Sequence, residues 1–223
     1  MRMGLLQRVV LMGLCAAGMF ATTLEAQERI ASSPGSPTSI KGLHDGHVRL
    51  ERGSQKLVLD LGRDISGCTR RLYDPMTKEE SDAGVSFEVV DETVKASNTY
   101  VLLLASASPN CNVEGRCGAG GPDSTLLWLK LTKGLKLAGK KAVVFEQCTT
   151  NRQARLPTTA SKAANPDEPA EIKAKDLPWN GDVLQIEYEE GAVEPVLVRR
   201  LVYDRRNPEA GLKVVEGISP GGA

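Results

Sequence analysis

The sequence predicts an all-β fold, an antiparallel β-sandwich of immunoglobulin-like type. Three observations predict it: short apolar runs alternating with polar residues at period two, turn-formers between those runs, and no long segment with the 3.6-residue apolar stripe of a helix. The first run with that alternation begins after Gly46: Val48 and Leu50, then Leu57, Leu59 and Leu61, separated by Arg52-Gly53-Ser54-Gln55. Alternation on both sides of a Gly-containing break reads as a β-hairpin. Val85, Phe87 and Val89 alternate likewise. Tyr100 to Ala105 and Leu126 to Leu131 are denser apolar runs, and Val143 to Phe145 leads into Cys148. Val183 to Tyr188, Val196 to Tyr203 and Leu212 to Val215 close the series, the last two joined through Arg205-Arg206-Asn207-Pro208.

Two of these runs, Val101-Leu102-Leu103-Leu104 and Leu126-Leu127-Trp128-Leu129, are apolar at consecutive positions. Adjacent strand residues face opposite sides, so both faces of these strands need cover. The long connection or the C-terminal hairpin is expected to supply it, with a partner surface as the other possibility. The long connection is Thr149 to Pro178, which carries Pro157, Pro166, Pro169 and Pro178 and a short helical stretch over Ala170 to Leu177. Three strands after it bury too little to stand alone, so one domain, residues 41–216, is expected, with 217–223 as a tail.

Ahead of that domain, Met1 to Arg8 holds two arginines, Val9 to Ala21 is uncharged and apolar, and Thr22 to Ala26 is short, polar and ends on a small residue. These are the parts of a cleavable export signal over residues 1–26, and the apolar stretch is shorter than the ~20 residues a spanning helix needs. Residues 27–40 include Ser32-Ser33-Pro34-Gly35-Ser36-Pro37, too polar and turn-rich to pack, and read as a tether. The expected location is the periplasm or the exterior, and the absence of Asn-x-Ser/Thr acceptor sites suits a bacterial source.

The chain's 28 Lys and Arg balance its 28 Asp and Glu, and loss of Arg2, Arg8 and Glu25 with the signal leaves it nearly neutral. Without a basic excess the chain is a poor nucleic-acid binder. Of five cysteines, Cys15 goes with the signal, leaving Cys68, Cys111, Cys117 and Cys148. An even number in an exported chain implies two disulfides. Of the three possible pairings, Cys111 with Cys117 and Cys68 with Cys148 is favoured, because the first two flank a Gly-containing turn. The long bridge would then contribute roughly 4 kcal/mol and the short ring less.

Candidate sites follow from what the core does not use. Between Cys111 and Cys117, Glu114 and Arg116 lie on a clamped loop that would lose little entropy on meeting a partner. Trp179, in the turn Pro178-Trp179-Asn180-Gly181, is the aromatic most easily spared from the core, aromatics being only 4% of the chain. His44 and His47 are the only two histidines and sit three apart, a spacing compatible with zinc but short of the three or four ligands a site requires. Glu187 and Glu189 share a strand face, as a pair of glycosidase carboxylates would, whereas Arg199 and Arg200 face opposite ways. The glycines at 118, 120 and 121 follow no strand and precede no helical pattern, so they do not read as a phosphate loop. No catalytic residue, metal site or cofactor is assigned. The expected function is a non-catalytic module that binds or assembles with another envelope or secreted protein; the alternative is a carboxylate- or metal-assisted hydrolase around His44, His47 or Glu187.

Overall fold

The computed structural model describes residues 37–217 apart from 75, 83, 112–116, 118–120, 157–170 and 192–196. The segment read as an export signal and most of that read as a tether therefore lie outside the described residues, as do Glu114, Arg116 and residues 218–223. Among the described residues there are fourteen strands, three 3-10 turns and no α-helix, and all strand pairing is antiparallel.

The N-terminal sheet joins β1 (Ser39–Gly42), β2 (His47–Arg52) and β3 (Gln55–Asp60) in that order. The expected hairpin forms, with Val48 opposite Leu59 and Leu50 opposite Leu57 across a Gly53-Ser54 turn. β1 falls partly inside the segment read as tether, and Thr38, just ahead of it, is buried. Its amide and hydroxyl both donate to the Glu92 carboxylate at 2.7 Å, and Arg52 binds that carboxylate at 2.9 Å and the Thr99 hydroxyl at 2.8 Å. No hydropathy pattern announces such a polar anchor.

A two-stranded ribbon, β4 (Arg71–Asp74) with β5 (Glu79–Asp82), precedes the largest meander. That meander is β6 (Ser86–Lys95), β7 (Asn98–Ala107), β8 (Asp123–Thr132) and β9 (Lys136–Glu146), paired in sequence order. The third large sheet runs β10 (Arg152–Arg155), β12 (Val183–Glu190), β13 (Leu197–Asp204) and β14 (Lys213–Gly217), with β11 (Trp179–Asn180) paired to the start of β12. β10 lies inside the segment read as one long connection. The helical stretch expected over Ala170 to Leu177 is a single 3-10 turn, Ala174–Asp176.

Alternation along β7 and β8 explains the layering. Val101, Leu103 and Ala105, with Leu127, Leu129 and Leu131, pack with Val48, Leu50 and Leu59 of the N-terminal sheet. Leu102, Leu104 and Leu126 face the other way and pack with Leu184, Ile186, Leu201 and Tyr203 of the C-terminal sheet. The meander is therefore the middle of three stacked layers, and its doubly apolar strands are covered by the C-terminal strands on one face and the N-terminal hairpin on the other. At about 1.5–3 kcal/mol for each large aliphatic side chain fully removed from water, these two interfaces dominate the fold's stability. The connections are successive meanders rather than the Greek keys that define an immunoglobulin-like sandwich. Short turns between β6 and β7 and between β8 and β9 place those strands side by side, while β7 and β8 pair across the longer connection that carries Cys111 and Cys117.

Candidate functional site

One end of the central sheet gathers most of the buried polar chemistry. β7 leaves it at Ala107, β8 enters at Asp123, and β9 ends at Glu146 beside Cys148. Asp123 is 1% exposed; its carboxylate accepts the Ser66 hydroxyl at 2.6 Å and the Cys148 amide at 3.1 Å. Ser66 also donates its amide to the Thr125 hydroxyl at 3.2 Å. The carboxylate thus ties the segment after β3 and the segment after β9 to the start of β8. Ser124, next along and fully buried, has a hydroxyl without a partner among the described residues.

Those ties decide the disulfides. The Cys68 amide donates to the Ser108 carbonyl at 2.6 Å, which sets Cys68 beside the chain leaving β7. Gly67 permits that approach: it has φ +91°, and a Cβ there would lie 2.5 Å from the same carbonyl oxygen. Cys68 accordingly pairs with Cys111, with Cα atoms 4.9 Å apart, and Cys117 pairs with Cys148 at 6.0 Å. The expected pairing of Cys111 with Cys117 and Cys68 with Cys148 is corrected. Proximity in sequence favoured the short ring, but hydrogen bonds across the fold, Cys68 to Ser108 and Cys148 to Asp123, set each sulfur beside a different partner. Glu114 and Arg116 lie outside the described residues, yet both ends of the connection that carries them are cross-linked, each to a different part of the fold.

Glu146 lies at the same end. Its carboxylate accepts the Ala154 amide at 2.6 Å and so binds β10 to the end of β9. Burial pushes its pKa above the usual carboxylate value; the Ala154 hydrogen bond opposes the shift and the charge of Asp123 adds to it.

Trp179 is half-buried against the second core rather than free-standing. The Arg205 guanidinium lies over its ring, 4.0 Å from the centroid, and Tyr203 meets it edge-on with centroids 6.2 Å apart. Asp91 completes the group. It follows a bulge in β6, where the register with β7 shifts between Val89 and Asp91. Its carboxylate accepts the Tyr203 hydroxyl at 3.0 Å and the Thr93 hydroxyl at 2.9 Å, and it pairs with Arg205 at 3.5 Å. Burial, then the Asp91 charge, push the Tyr203 phenol well above its ordinary pKa, so it stays a donor. The remaining edge of Trp179 borders a shallow groove with Val89, Val90, Ala174 and Lys175. No sequence signal links Asp91 with Trp179, because they come to share Tyr203 and Arg205 as partners only when the second and third layers stack.

The other candidates are dispersed. His47 donates from Nδ1 to the His44 carbonyl at 3.1 Å, within a tight turn entering β2. Among the described residues, no group of three or more His, Cys, Asp and Glu side chains converges as metal ligands. Glu187 pairs with Arg200 at 2.7 Å, Glu189 with Arg155, and Glu190 with Arg152 and Arg199. Each of these carboxylates is committed to a guanidinium on a neighbouring strand, which is the arrangement of a self-neutralised sheet. Arg199 and Arg200 do take opposite faces, as alternation requires.

Comparison with known protein families, curated proteins and solved structures finds no match. Chemistry at this chain's own residues is therefore the ground for a functional reading. No helix among the described residues is long and apolar enough to cross a membrane.

Proposed function

We propose that this chain is an exported, non-catalytic β module that binds or assembles with another envelope or secreted protein, using the connection between Cys111 and Cys117 as its contact. The observation that carries this reading is the separate cross-linking of the two ends of that connection, Cys111 to Cys68 and Cys117 to Cys148. A connection held at both ends surrenders less conformational freedom on docking, so more of its contact energy appears as affinity. Both faces of the central sheet are already used within the chain, which leaves loops and sheet edges for a partner. Two disulfides suit an oxidising compartment, and this supports the periplasmic or extracellular location and the export signal over residues 1–26.

The test is affinity capture of the oxidised protein from its native envelope or secreted fraction, beside a variant with Glu114→Lys and Arg116→Glu. The expected result is one partner retained by the parent at stoichiometric yield and lost from a variant whose circular dichroism is unchanged. Recovery of the parent alone, or equal capture by both, overturns the reading.

A further inference from the structure

In a chain of zero formal net charge, the stretch from residue 130 to residue 141 holds Lys130, Lys133, Lys136, Lys140 and Lys141 and no acid. The fold turns this stretch into the β8–β9 hairpin, at the end of the central sheet opposite the disulfides. Two of the lysines are tied to the body: Lys140 pairs with Asp64, and Lys141 donates to the Leu212 carbonyl at 2.7 Å. Lys133 and Lys136, at the tip, are exposed and form no ion pair among the described residues. Lys95, on the neighbouring β6–β7 turn, adds a further cation, paired at 2.6 Å with Glu209. The Lys95 hydrogen bond, with smaller help from the charges of Lys95 and Lys130, holds that carboxyl below its usual value, so a single acid serves more than one cation.

Aliphatic side chains accompany this charge. Val94 is 65% exposed at the end of β6, and Leu137 is 37% exposed beside Lys136. The aromatics of this region are occupied elsewhere. The Trp128 indole donates to the Pro208 carbonyl at 2.8 Å and stacks on Tyr100, so neither offers a platform for sugar rings or bases. Lysines flanked by exposed aliphatic groups match a surface of anionic headgroups over hydrocarbon better than a glycan, which would call for free aromatic faces and planar hydrogen-bonding groups.

We infer that the β8–β9 hairpin docks this protein peripherally on an anionic lipid bilayer. The lysines supply attraction to the headgroups, about five-fold in affinity for each that reaches the surface, and Leu137 and Val94 enter the headgroup boundary. The inference does not depend on the partner reading above, since it uses the opposite end of the molecule. β7 has ten residues, so the two ends lie roughly 30 Å apart at ~3.3 Å per residue. A bilayer at one end leaves the disulfide-anchored connection facing away from it.

The experiment is co-sedimentation of the oxidised full mature chain with vesicles of phosphatidylcholine alone and of equal parts phosphatidylcholine and phosphatidylglycerol, at low and high salt. Binding is expected only to the mixed vesicles and only at low salt. Lys133→Glu with Lys136→Glu is expected to weaken it by about 30-fold or more. A charge-matched variant, Lys41→Glu with Lys175→Glu, changes exposed lysines away from the hairpin and is expected to bind within a few-fold of the parent. Circular dichroism of both variants confirms that they are folded. Equal binding to both vesicle types, no binding to either, or equal losses in the two variants overturns the inference. So does retention on immobilised heparin without any vesicle binding, which would assign the hairpin to a polyanionic glycan.

Discussion

Glu146 shows what burial does to a single carboxyl in this fold. Its pKa is raised from 4.5, so the folded chain keeps a proton at pH values where the unfolded chain has released it. The contribution of this group to stability is therefore fully present below 4.5 and is lost as pH rises through the window up to the raised folded value. Glu146→Gln keeps an oxygen for the Ala154 amide and removes the ionisation. Melting followed by circular dichroism across pH should show the variant gaining on the parent above that window and matching it in acid; parallel curves would show that burial does not perturb this group. Tyr203 illustrates the converse, a buried donor that another residue requires. Tyr203→Phe takes a hydrogen bond from Asp91, whose side chain is 11% exposed, and should cost about 1–3 kcal/mol in urea unfolding. A loss of a few tenths or less would mean that Thr93 and Arg205 satisfy the carboxylate without it.

Among the elements, the disulfides and the strands they join give the clearest expectation. The two bridges close spans of 43 and 31 residues, each within a different part of the chain, and the chain-entropy estimate gives about 4 kcal/mol for either. Proteolysis of the oxidised protein followed by mass spectrometry should recover a Cys68 peptide joined to Cys111 and a Cys117 peptide joined to Cys148. Replacing Cys68 and Cys111 by serine together should lower stability by about 2–4 kcal/mol while the strand signal persists. Recovery of a Cys111–Cys117 ring would remove the cross-links on which the proposed contact depends. The bulge at Val90 is another element-level device. It offsets β6 by one residue against β7, and this brings Asp91 to the layer interface, where Tyr203 and Arg205 meet it.

At the scale of the molecule, three layers account for how the apolar strand faces are covered among the described residues. The central sheet spends both faces on internal packing, and the outer face of the C-terminal sheet is laced by cross-strand pairs such as Glu187 with Arg200. What remains distinctive is polar and terminal: disulfides and buried carboxyls at one end, lysines and exposed aliphatics at the other. Much of the architecture was legible along the chain. Alternation at Val48 and Leu50 against Leu57 and Leu59 determined a hairpin and its register, because a strand with one dry face tolerates no slip. Consecutive apolar residues at 101–104 and 126–129 determined that those strands have no wet face, since each residue must turn to one side or the other. The four cysteines and the signal-like pattern over residues 1–26 set the expectation of oxidation. Which layer covers which face, which sulfur meets which, and the gathering of Asp91 and Trp179 around Tyr203 and Arg205 were decided only in three dimensions. Each depends on hydrogen bonds and packing between residues dozens of positions apart, and hydropathy read along a single strand carries no record of what lies across from it.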